Sequence, residues 1–312
     1  MIDAQGLYKQ FGTVQAVIDL ELHVPQGSVY ALLGPNGAGK STTINMLTTL
    51  LRPDRGTIVI AGHDAVRNPD AVRRVIGVTF QDLVLDRDLS GREALDFYGR
   101  LYGLDAATRT QRTKELLTLV ELNDAADRLT GTYSGGMRRR LELARCLMMQ
   151  PRILFLDEPT QGLDPQHRAM IWDYLRMLQQ QHGMTMLITT HAMDEAEILA
   201  QQVGIIDHGR MVASGTPAEL IGQFGSDMVR ITANYPADYQ PSWLQAEWVR
   251  NWAIQNGELR VGVDHGSRRI ATILDGLRAD GLQVSDMNMT RPSLGDVFLQ
   301  TTGRALRDEV KS

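Results

Sequence analysis

One stretch near the N-terminus constrains the fold more than any other. Apolar residues from Val29 to Leu33 predict a short buried strand, and the pattern from Thr42 to Leu51 predicts a helix. The loop between them matches the phosphate-binding pattern G-x-x-x-x-G-K-S. Glycines let successive backbone N–H groups point into one concavity at the start of a helix, which attracts phosphate oxygens. The predicted binding residues are Gly34, Pro35, Asn36, Gly37, Ala38, Gly39, Lys40, Ser41 and Thr42.

Two side chains carry the chemistry of this loop. The ammonium of Lys40 can reach the outer phosphates of a nucleotide, and the hydroxyl of Ser41 can bind Mg²⁺. The alternative is a chance glycine-rich turn, so the rest of the chain must decide between the two.

Composition excludes several classes of protein. With 312 residues, 43% of them hydrophobic, the chain can form two domains or one large one around a sizeable core. A net charge of −5 argues against a nucleic-acid partner, because nucleic-acid-binding proteins are usually basic. The single cysteine, Cys146, allows no intramolecular disulfide and fits a reducing compartment. We expect neither a signal peptide nor a membrane span, since no apolar run approaches ~18 residues.

Strands that alternate with helices predict an α/β fold with a largely parallel sheet. Predicted strands lie at 14–24, 29–33, 57–61, 75–80, 153–156 and 185–190, followed by a hairpin at 203–213. A helical block at about 88–149 predicts an inserted subdomain within a first domain at 1–222. Residues 226–312 predict a small C-terminal α+β domain, with Trp243, Trp248 and Trp252 on a surface-docking helix.

Further polar residues follow the phosphate loop in a fixed order. Gln81 follows a predicted strand, Ser134 begins a basic helix, and Asp157 and Glu158 end an apolar strand. A carboxylate held at a strand end can bind Mg²⁺, and its neighbour can deprotonate an attacking water. The alternatives are a solvated acidic turn for the pair and an ordinary helix N-cap for Ser134. His191 ends a later strand, where a structural histidine is the alternative.

In this order the motifs resemble the nucleotide-binding subunit of an ATP-binding cassette (ABC) transporter, over about residues 1–222. The resemblance implies a P-loop NTPase fold with a mixed, largely parallel sheet, ATP as substrate and Mg²⁺ as cofactor. It implies catalytic roles for Glu158, His191 and Gln81, metal binding by Ser41, Gln81 and Asp157, and contact with a partner's ATP by Ser134, Gly135, Gly136, Met137 and Asp164. It places Phe11 against the adenine, with Tyr8 as the alternative, although either ring can instead be a core aromatic.

The resemblance also implies partners. Two such subunits hold two ATP molecules between them, so one set of motifs needs a second copy, and a homodimer is the simpler expectation. The cargo passes through a separate integral-membrane permease, which puts this chain peripherally at the cytoplasmic face of the membrane. Asp86, Arg87 and Asp88 are candidates for the permease-facing surface, with a solvated charged loop as the alternative.

Some residues differ from the common pattern of the family, and these differences indicate one branch of it. Tyr133 stands where many members have Leu, Met137 where many have Gln, and three arginines follow. With segments 84–93 and 291–299, these features resemble daunorubicin/doxorubicin-type exporter ATPases, which implies efflux of a drug or other hydrophobic compound. Lipid-linked or glycan cargo is an alternative. A soluble ABC ATPase of translation or DNA maintenance is disfavoured by the single cassette, the acidic charge and the absence of sustained heptads.

Overall fold

The computed structural model describes residues 1–80, 85–236, 239–255 and 257–302. The chain divides into two compact units, the first at Met1–Met211 and the second beginning at Val212. Among the described residues, no helix combines the length and the apolarity needed to cross a bilayer.

The first unit is built on two sheets. The strands of these sheets are β1 (Ile2–Phe11), β2 (Val14–Val24), β3 (Val29–Leu33), β4 (Arg55–Ile60), β5 (His63–Asp64), β6 (Ile76–Thr79), β7 (Ile153–Asp157), β8 (Thr185–Thr190), β9 (Gln202–Asp207) and the edge strand β10 (Arg210–Gly215). Its helices are α1 (Lys40–Leu47), α2 (Pro69–Arg73), α3 (Gly91–Leu101), α4 (Ala106–Leu119), α5 (Gly135–Cys146), α6 (Pro165–His182) and α7 (Met193–Leu199).

The larger sheet has the strand order β10-β9-β3-β8-β7-β6. Its central pairs β3–β8, β3–β9, β7–β8 and β6–β7 are all parallel. Every residue of β3, β7 and β8 is buried, as expected for parallel strands covered on both faces. The carboxyl ends of β3 and β7, which carry the phosphate loop and the acidic pair, therefore lie at one edge of the sheet. The predicted mixed α/β fold is confirmed.

The second sheet of this unit is antiparallel, in the order β2-β1-β4-β5. Strand β1 was not predicted from the sequence. Gly6 has a positive φ of 59°, and the pairing of β1 with β2 shifts register three times. These irregularities interrupt the alternation of apolar and polar residues by which a strand is recognised.

Helices α3, α4 and α5 form the predicted helical block. Ser90 and Glu93 make a capping box at the start of α3. Leu95 is buried, whereas Leu101 and Tyr102, at the end of the same helix, are 66% and 57% exposed. The block therefore presents large apolar side chains to solvent at the end of α3.

The second unit contains one antiparallel sheet in the order β12-β13-β11-β14. Its strands are β11 (Asp227–Ala233), β12 (Val249–Gln255), β13 (Glu258–Val263) and β14 (Val284–Thr290), and its helices are α8 (Pro217–Gly222), α9 (Gly266–Ala279) and α10 (Leu294–Thr302). Ile273 and Leu277 of α9 pack with Val229, Ile231 and Val261 of the sheet in a hydrophobic core.

The prediction of a tryptophan-bearing surface helix is wrong. Trp243 lies in a 3₁₀ turn (Ser242–Gln245), Trp252 lies in β12, and Trp248 lies just before that strand. All three are partly buried and pack against the core. A register shift between Val249 and Asn251 breaks the strand pattern in the sequence. A methyl group at Gly276 of α9 would lie 2.8 Å from the indole of Trp243, so only glycine fits there without a shift.

A buried carboxylate links α10 to the sheet of the second unit. Asp296 and Ser293 bond reciprocally: the Ser293 N–H donates to Asp296 Oδ2 at 3.0 Å, and the Asp296 N–H donates to Ser293 Oγ at 3.4 Å. Arg230 of β11 and Arg260 of β13 donate to Asp296 Oδ1 at 3.1 and 3.5 Å. The segment noted at 291–299 is therefore a helix cap joined to an ion cluster.

Candidate functional site

The phosphate loop requires glycine for two different physical reasons. Gly39, immediately before α1, has a φ of 109°, and a Cβ there would lie 2.4 Å from the backbone oxygen of Ala16. Gly34 needs no special φ, but its Cβ would lie 2.5 Å from the oxygen of Ile206. The loop is thus held tightly between β2 and β9, with its residues 36 and 37 exposed.

Lys40 lies buried under this loop. Its Nζ donates to the carbonyl oxygens of Gly34 at 2.7 Å and Pro35 at 3.2 Å, and lies 3.8 Å from Glu158 Oε1. A cation at this position can neutralise charge on phosphates bound by the loop.

Glu158 follows β7 in an uncommon backbone conformation, with a φ of 49°. Its N–H donates to both the carbonyl and the hydroxyl oxygen of Thr189, each at 3.1 Å. A positive φ in a non-glycine residue is unfavourable and persists only where neighbouring contacts hold it. This conformation turns the side chain of Glu158 away from the path of the strand.

The carboxylate of Glu158 contacts the side chains of His191 and Lys40. His191 Nδ1 lies 3.4 Å from Oε1, the same oxygen that lies 3.8 Å from Lys40 Nζ. The hydrogen bond from His191 holds the pKa of Glu158 below its ordinary value, with a further contribution from Lys40, although burial acts in the opposite direction. A buried carboxylate that stays ionised can accept a proton from water. Among the residues that the structure describes, Oε2 of Glu158 has no hydrogen-bond partner.

Asp157 and Ser41 offer oxygen atoms of the kind that Mg²⁺ prefers. Asp157 is 5% exposed, and its Oδ1 accepts a hydrogen bond from the hydroxyl of Thr189, its partner in the neighbouring strand. Ser41 is exposed at the start of α1. Within the described residues, no three His, Cys, Asp or Glu side chains form a complete metal site. Mg²⁺ held here would therefore need phosphate oxygens among its ligands, which fits its usual role with nucleotides.

Ser134, Gly135, Gly136 and Met137, here called the signature segment, lie at the start of α5. Ser134 Oγ accepts the N–H of Met137 at 3.2 Å, so the serine caps its own helix. A Cβ on Gly135 would make only an ordinary contact with the side chain of Leu163, at 3.8 Å, whereas a Cβ on Gly136 would lie 2.3 Å from the ring of His167. His167 is in turn held by Asp164, which caps α6.

Asp164 joins this contact through both carboxylate oxygens. It accepts the N–H of His167 at 3.1 Å and lies 2.5 Å from His167 Nδ1. These two hydrogen bonds lower the pKa of Asp164. The structure therefore brings together the signature and the start of α6, two of the segments predicted to face a partner's ATP.

Phe11 and Tyr8 lie at the end of β1. Phe11 is 49% exposed, which excludes a core role for its ring. Tyr8 is half-buried, and its hydroxyl donates to Gln10 at 2.9 Å. Of the two, Phe11 offers the freer surface for a planar base. Gln81, predicted as a catalytic and metal-binding residue, lies outside the described residues.

Sequence reasoning missed Arg139 and Thr189. Thr189 bonds the backbone of Glu158 and the carboxylate of Asp157. Arg139, one of three consecutive arginines, is buried. It donates to the backbone carbonyls of residues 157–159, here called the catalytic turn. Neither has a local sequence pattern that predicts its contacts, because the partners are 18 to 32 residues away along the chain.

Comparison with known proteins decides the family. Residues 17–161 match the family model described as ABC transporter, and residues 215–302 match that of the ATP-binding protein DrrA1-3-like C-terminal domain. The daunorubicin/doxorubicin resistance ATP-binding protein DrrA of Streptomyces peucetius is 44% identical over 98% of this chain and 94% of that protein. The chain belongs to the ATP-binding subunits of ABC transporters. It is an ATPase, and the predicted resemblance to the daunorubicin/doxorubicin-type branch is confirmed.

Other relatives extend over similar lengths. The linearmycin resistance ATP-binding protein LnrL of Bacillus subtilis is 33% identical over 99% of this chain and all of that protein. The Nod factor export ATP-binding protein I of Burkholderia lata is 40% identical over 98% of each chain. These names support the predicted ATPase of an exporter over the soluble, non-transport alternative.

Solved structures agree on the cassette fold. The ATP-binding subunit of an ABC transporter superposes with a TM-score of 0.64 at 29% identity, covering 72% of this chain and 93% of that one. A dimeric cassette in a post-hydrolysis state, bound to ADP and Pi, gives a TM-score of 0.63 at 25% identity, covering 69% and 98%. The prediction of ATP as the bound nucleotide is confirmed at the level of the family.

Proposed function

We propose that this chain powers the efflux of a drug or other hydrophobic compound. It works as a homodimer on a separate integral-membrane permease, at the cytoplasmic face of the membrane. The observation that carries the proposal is the near-full-length similarity, second unit included, to ATP-binding proteins named for daunorubicin and doxorubicin resistance.

In the proposed mechanism Glu158 is the general base. Its Oε2 is buried and has no hydrogen-bond partner within the described part of the chain, its pKa is lowered, and its backbone is fixed by β8. It takes the proton of the attacking water. His191 contacts Oε1 of Glu158 and is proposed to contact the γ-phosphate as well. Lys40 releases the Gly34 and Pro35 carbonyls to meet the phosphates. Asp157, Ser41 and Gln81 would hold Mg²⁺, which neutralises phosphate charge.

The other half of each site comes from a second copy of the chain. Ser134, Gly135, Gly136, Met137 and Asp164 are proposed to face the ATP held by the partner's phosphate loop. Support comes from the helix N-terminus at Ser134, whose N–H groups attract anions, and from the similarity to a cassette solved as a dimer. Phe11 is proposed to stack on the adenine.

The proposed permease-facing surface lies on the helical block. Asp86, Arg87 and Asp88 are exposed, and their loop is fixed by the Thr130 hydroxyl, which donates to the Asp86 carbonyl at 2.6 Å. Nearby along the chain, Phe97 lines a cleft of 410 Å³ and is 52% exposed. Exposed apolar side chains beside charged ones are typical of a binding surface for another protein.

The catalytic assignment is tested with purified Glu158→Gln. We expect at least a hundredfold loss of kcat, on the order of the effect of a general base, with ATP binding retained. Hydrolysis at the wild-type rate would overturn the assignment.

The transport assignment is tested in a sensitive host that expresses the chain with the permease encoded beside its gene. Resistance to daunorubicin or doxorubicin that Glu158→Gln abolishes would support drug efflux. No change in susceptibility would favour the lipid-linked or glycan cargo, for which the relative named for Nod factor export is the specific observation.

A further inference from the structure

Every N–H group of the Arg139 guanidinium has an acceptor. The side chain projects from α5, is 6% exposed, and can donate five hydrogen bonds. Nε donates to Pro159 O at 2.7 Å; Nη1 donates to Phe80 O and Glu142 Oε2, both at 3.0 Å; Nη2 donates to Asp157 O at 3.1 Å and Glu158 O at 3.0 Å. Four of the five acceptors are backbone carbonyls.

Three of these carbonyls are consecutive and belong to the turn that carries the proposed base. Glu158 has a positive φ, so its conformation must be held from outside. Thr189 accepts the N–H of Glu158, and Arg139 binds the carbonyls on both sides of its Cα. The two contacts together fix both peptide planes that flank Glu158.

The fourth carbonyl belongs to Phe80, the residue before Gln81. Arg139 therefore joins the end of the strand before Gln81 to the catalytic turn.

We propose that Arg139 is the positioning residue for Glu158, setting the direction of its carboxylate through the backbone carbonyls of 157–159. This rests on the proposed role of Glu158 as the base. Arg139 reaches the site through the backbone carbonyls of this turn, so we expect it to act on the rate of hydrolysis and not on the affinity for ATP.

Glu142 orients the guanidinium. It is fully buried on α5, one turn from Arg139, and its other carboxylate oxygen accepts from Arg145 Nη2 at 3.3 Å. Arg145 Nη1 donates to the hydroxyl of Tyr98 at 2.9 Å, and its guanidinium lies 4.7 Å from that ring. Tyr98 belongs to α3, so the positioning residue is anchored in the helical block.

Arg139→Lys is the test variant. Lysine keeps the positive charge beside Glu142 but has three donors for five acceptors and lacks the planar fork. At least two acceptors lose their partner, and the turn carrying Glu158 is released. Arg140→Lys is the matched control: Arg140 is the next residue of α5, and its guanidinium donates to Val120 O at 2.9 Å, within the helical block.

In the purified full chain, Arg139→Lys should lower kcat for ATP about tenfold or more, because small displacements of a catalytic group are costly. KM for ATP and the Kd for a fluorescent ATP analogue should stay within about twofold, as should kcat of Arg140→Lys. A folded Arg139→Lys with wild-type kcat overturns the proposal. So does an equal loss of kcat and of ATP affinity, which would indicate a general structural role.

A second variant covers the case in which Arg139→Lys does not fold. Glu142→Gln weakens the same anchor at nearly constant volume, because Glu142 Oε2 accepts from Arg139 Nη1 at 3.0 Å. It should lower kcat while KM for ATP stays within about twofold. An unchanged kcat in a folded Glu142→Gln contradicts positioning.

Glu158→Gln measured in parallel separates the two claims. If Glu158→Gln hydrolyses ATP at the wild-type rate, Glu158 is not the general base. An inactive Glu158→Gln beside a fully active Arg139→Lys overturns the positioning role alone.

Discussion

Asp296→Asn tests the ion cluster that joins α10 to the sheet of the second unit. The carboxylate is 1% exposed and accepts hydrogen bonds from Arg230, Arg260 and both the N–H and the hydroxyl of Ser293. Asparagine has nearly the same volume but carries no charge, and its amide N–H₂ must face either a guanidinium or the helix cap. The variant therefore removes electrostatic attraction without leaving a cavity.

The expected loss follows from how buried each partner is. Removing one partner of a fully buried ion pair costs ~3–5 kcal/mol. Arg230 and Arg260 keep 32% and 28% of their side chains exposed, so water screens part of the interaction. We therefore expect a loss of about 2–3 kcal/mol in the free energy of unfolding. With an m-value of about 1–1.5 kcal/mol/M for a small unit, the urea midpoint should fall by about 2 M.

Tryptophan fluorescence is the appropriate assay, because three of the four tryptophans belong to this unit. The fourth, Trp172, lies in α6 of the cassette and is shared by all variants. Asp286→Asn, an exposed carboxylate on β14, is the matched control and should change stability by less than about 0.5 kcal/mol. Equal midpoints for Asp296→Asn and Asp286→Asn would refute the reasoning.

Three further predictions concern single side chains. In His191→Ala, Glu158 loses the main cause of its lowered pKa, so it protonates at a higher pH and the acid limb of kcat moves upward; a limb that stays in place contradicts the contact. Burial raises the pKa of Cys146 to about 11, so at pH 8 Ellman's reagent should modify one thiol per chain only after unfolding, and rapid labelling of the folded protein would refute this. Gly276→Ala should lower the unfolding free energy of the second unit by about 1–3 kcal/mol because its methyl group clashes with an indole ring, whereas Gly222→Ala, with open space around it, should not destabilise; thermal unfolding compares them.

The sequence predicted the parts of the fold whose patterns are local. Strands β2, β3 and β8 have the expected bounds, because unbroken apolar periodicity and clear turn residues mark them. Strands β1 and β12 were missed where bulges interrupt that periodicity.

The same difference between local and distant contacts separates the site residues that the sequence predicted from those it missed. Lys40, Glu158 and His191 were found because each sits in a recognisable local segment, and the structure brings the three together. Arg139 was missed since its partners are main-chain oxygens, which any residue type supplies and no sequence pattern marks. Contacts to backbone atoms of distant segments depend on the tertiary fold and cannot be predicted from spacing.

The contact between Gly136 and His167 has an evolutionary consequence. The ring of His167 occupies the space into which any side chain at 136 would have to project. The two positions therefore cannot vary independently: a larger residue at 136 requires either a smaller residue at 167 or a movement of the His167 ring away from Asp164. Among descendants of this chain, we expect substitutions at 136 to accompany changes at the start of α6.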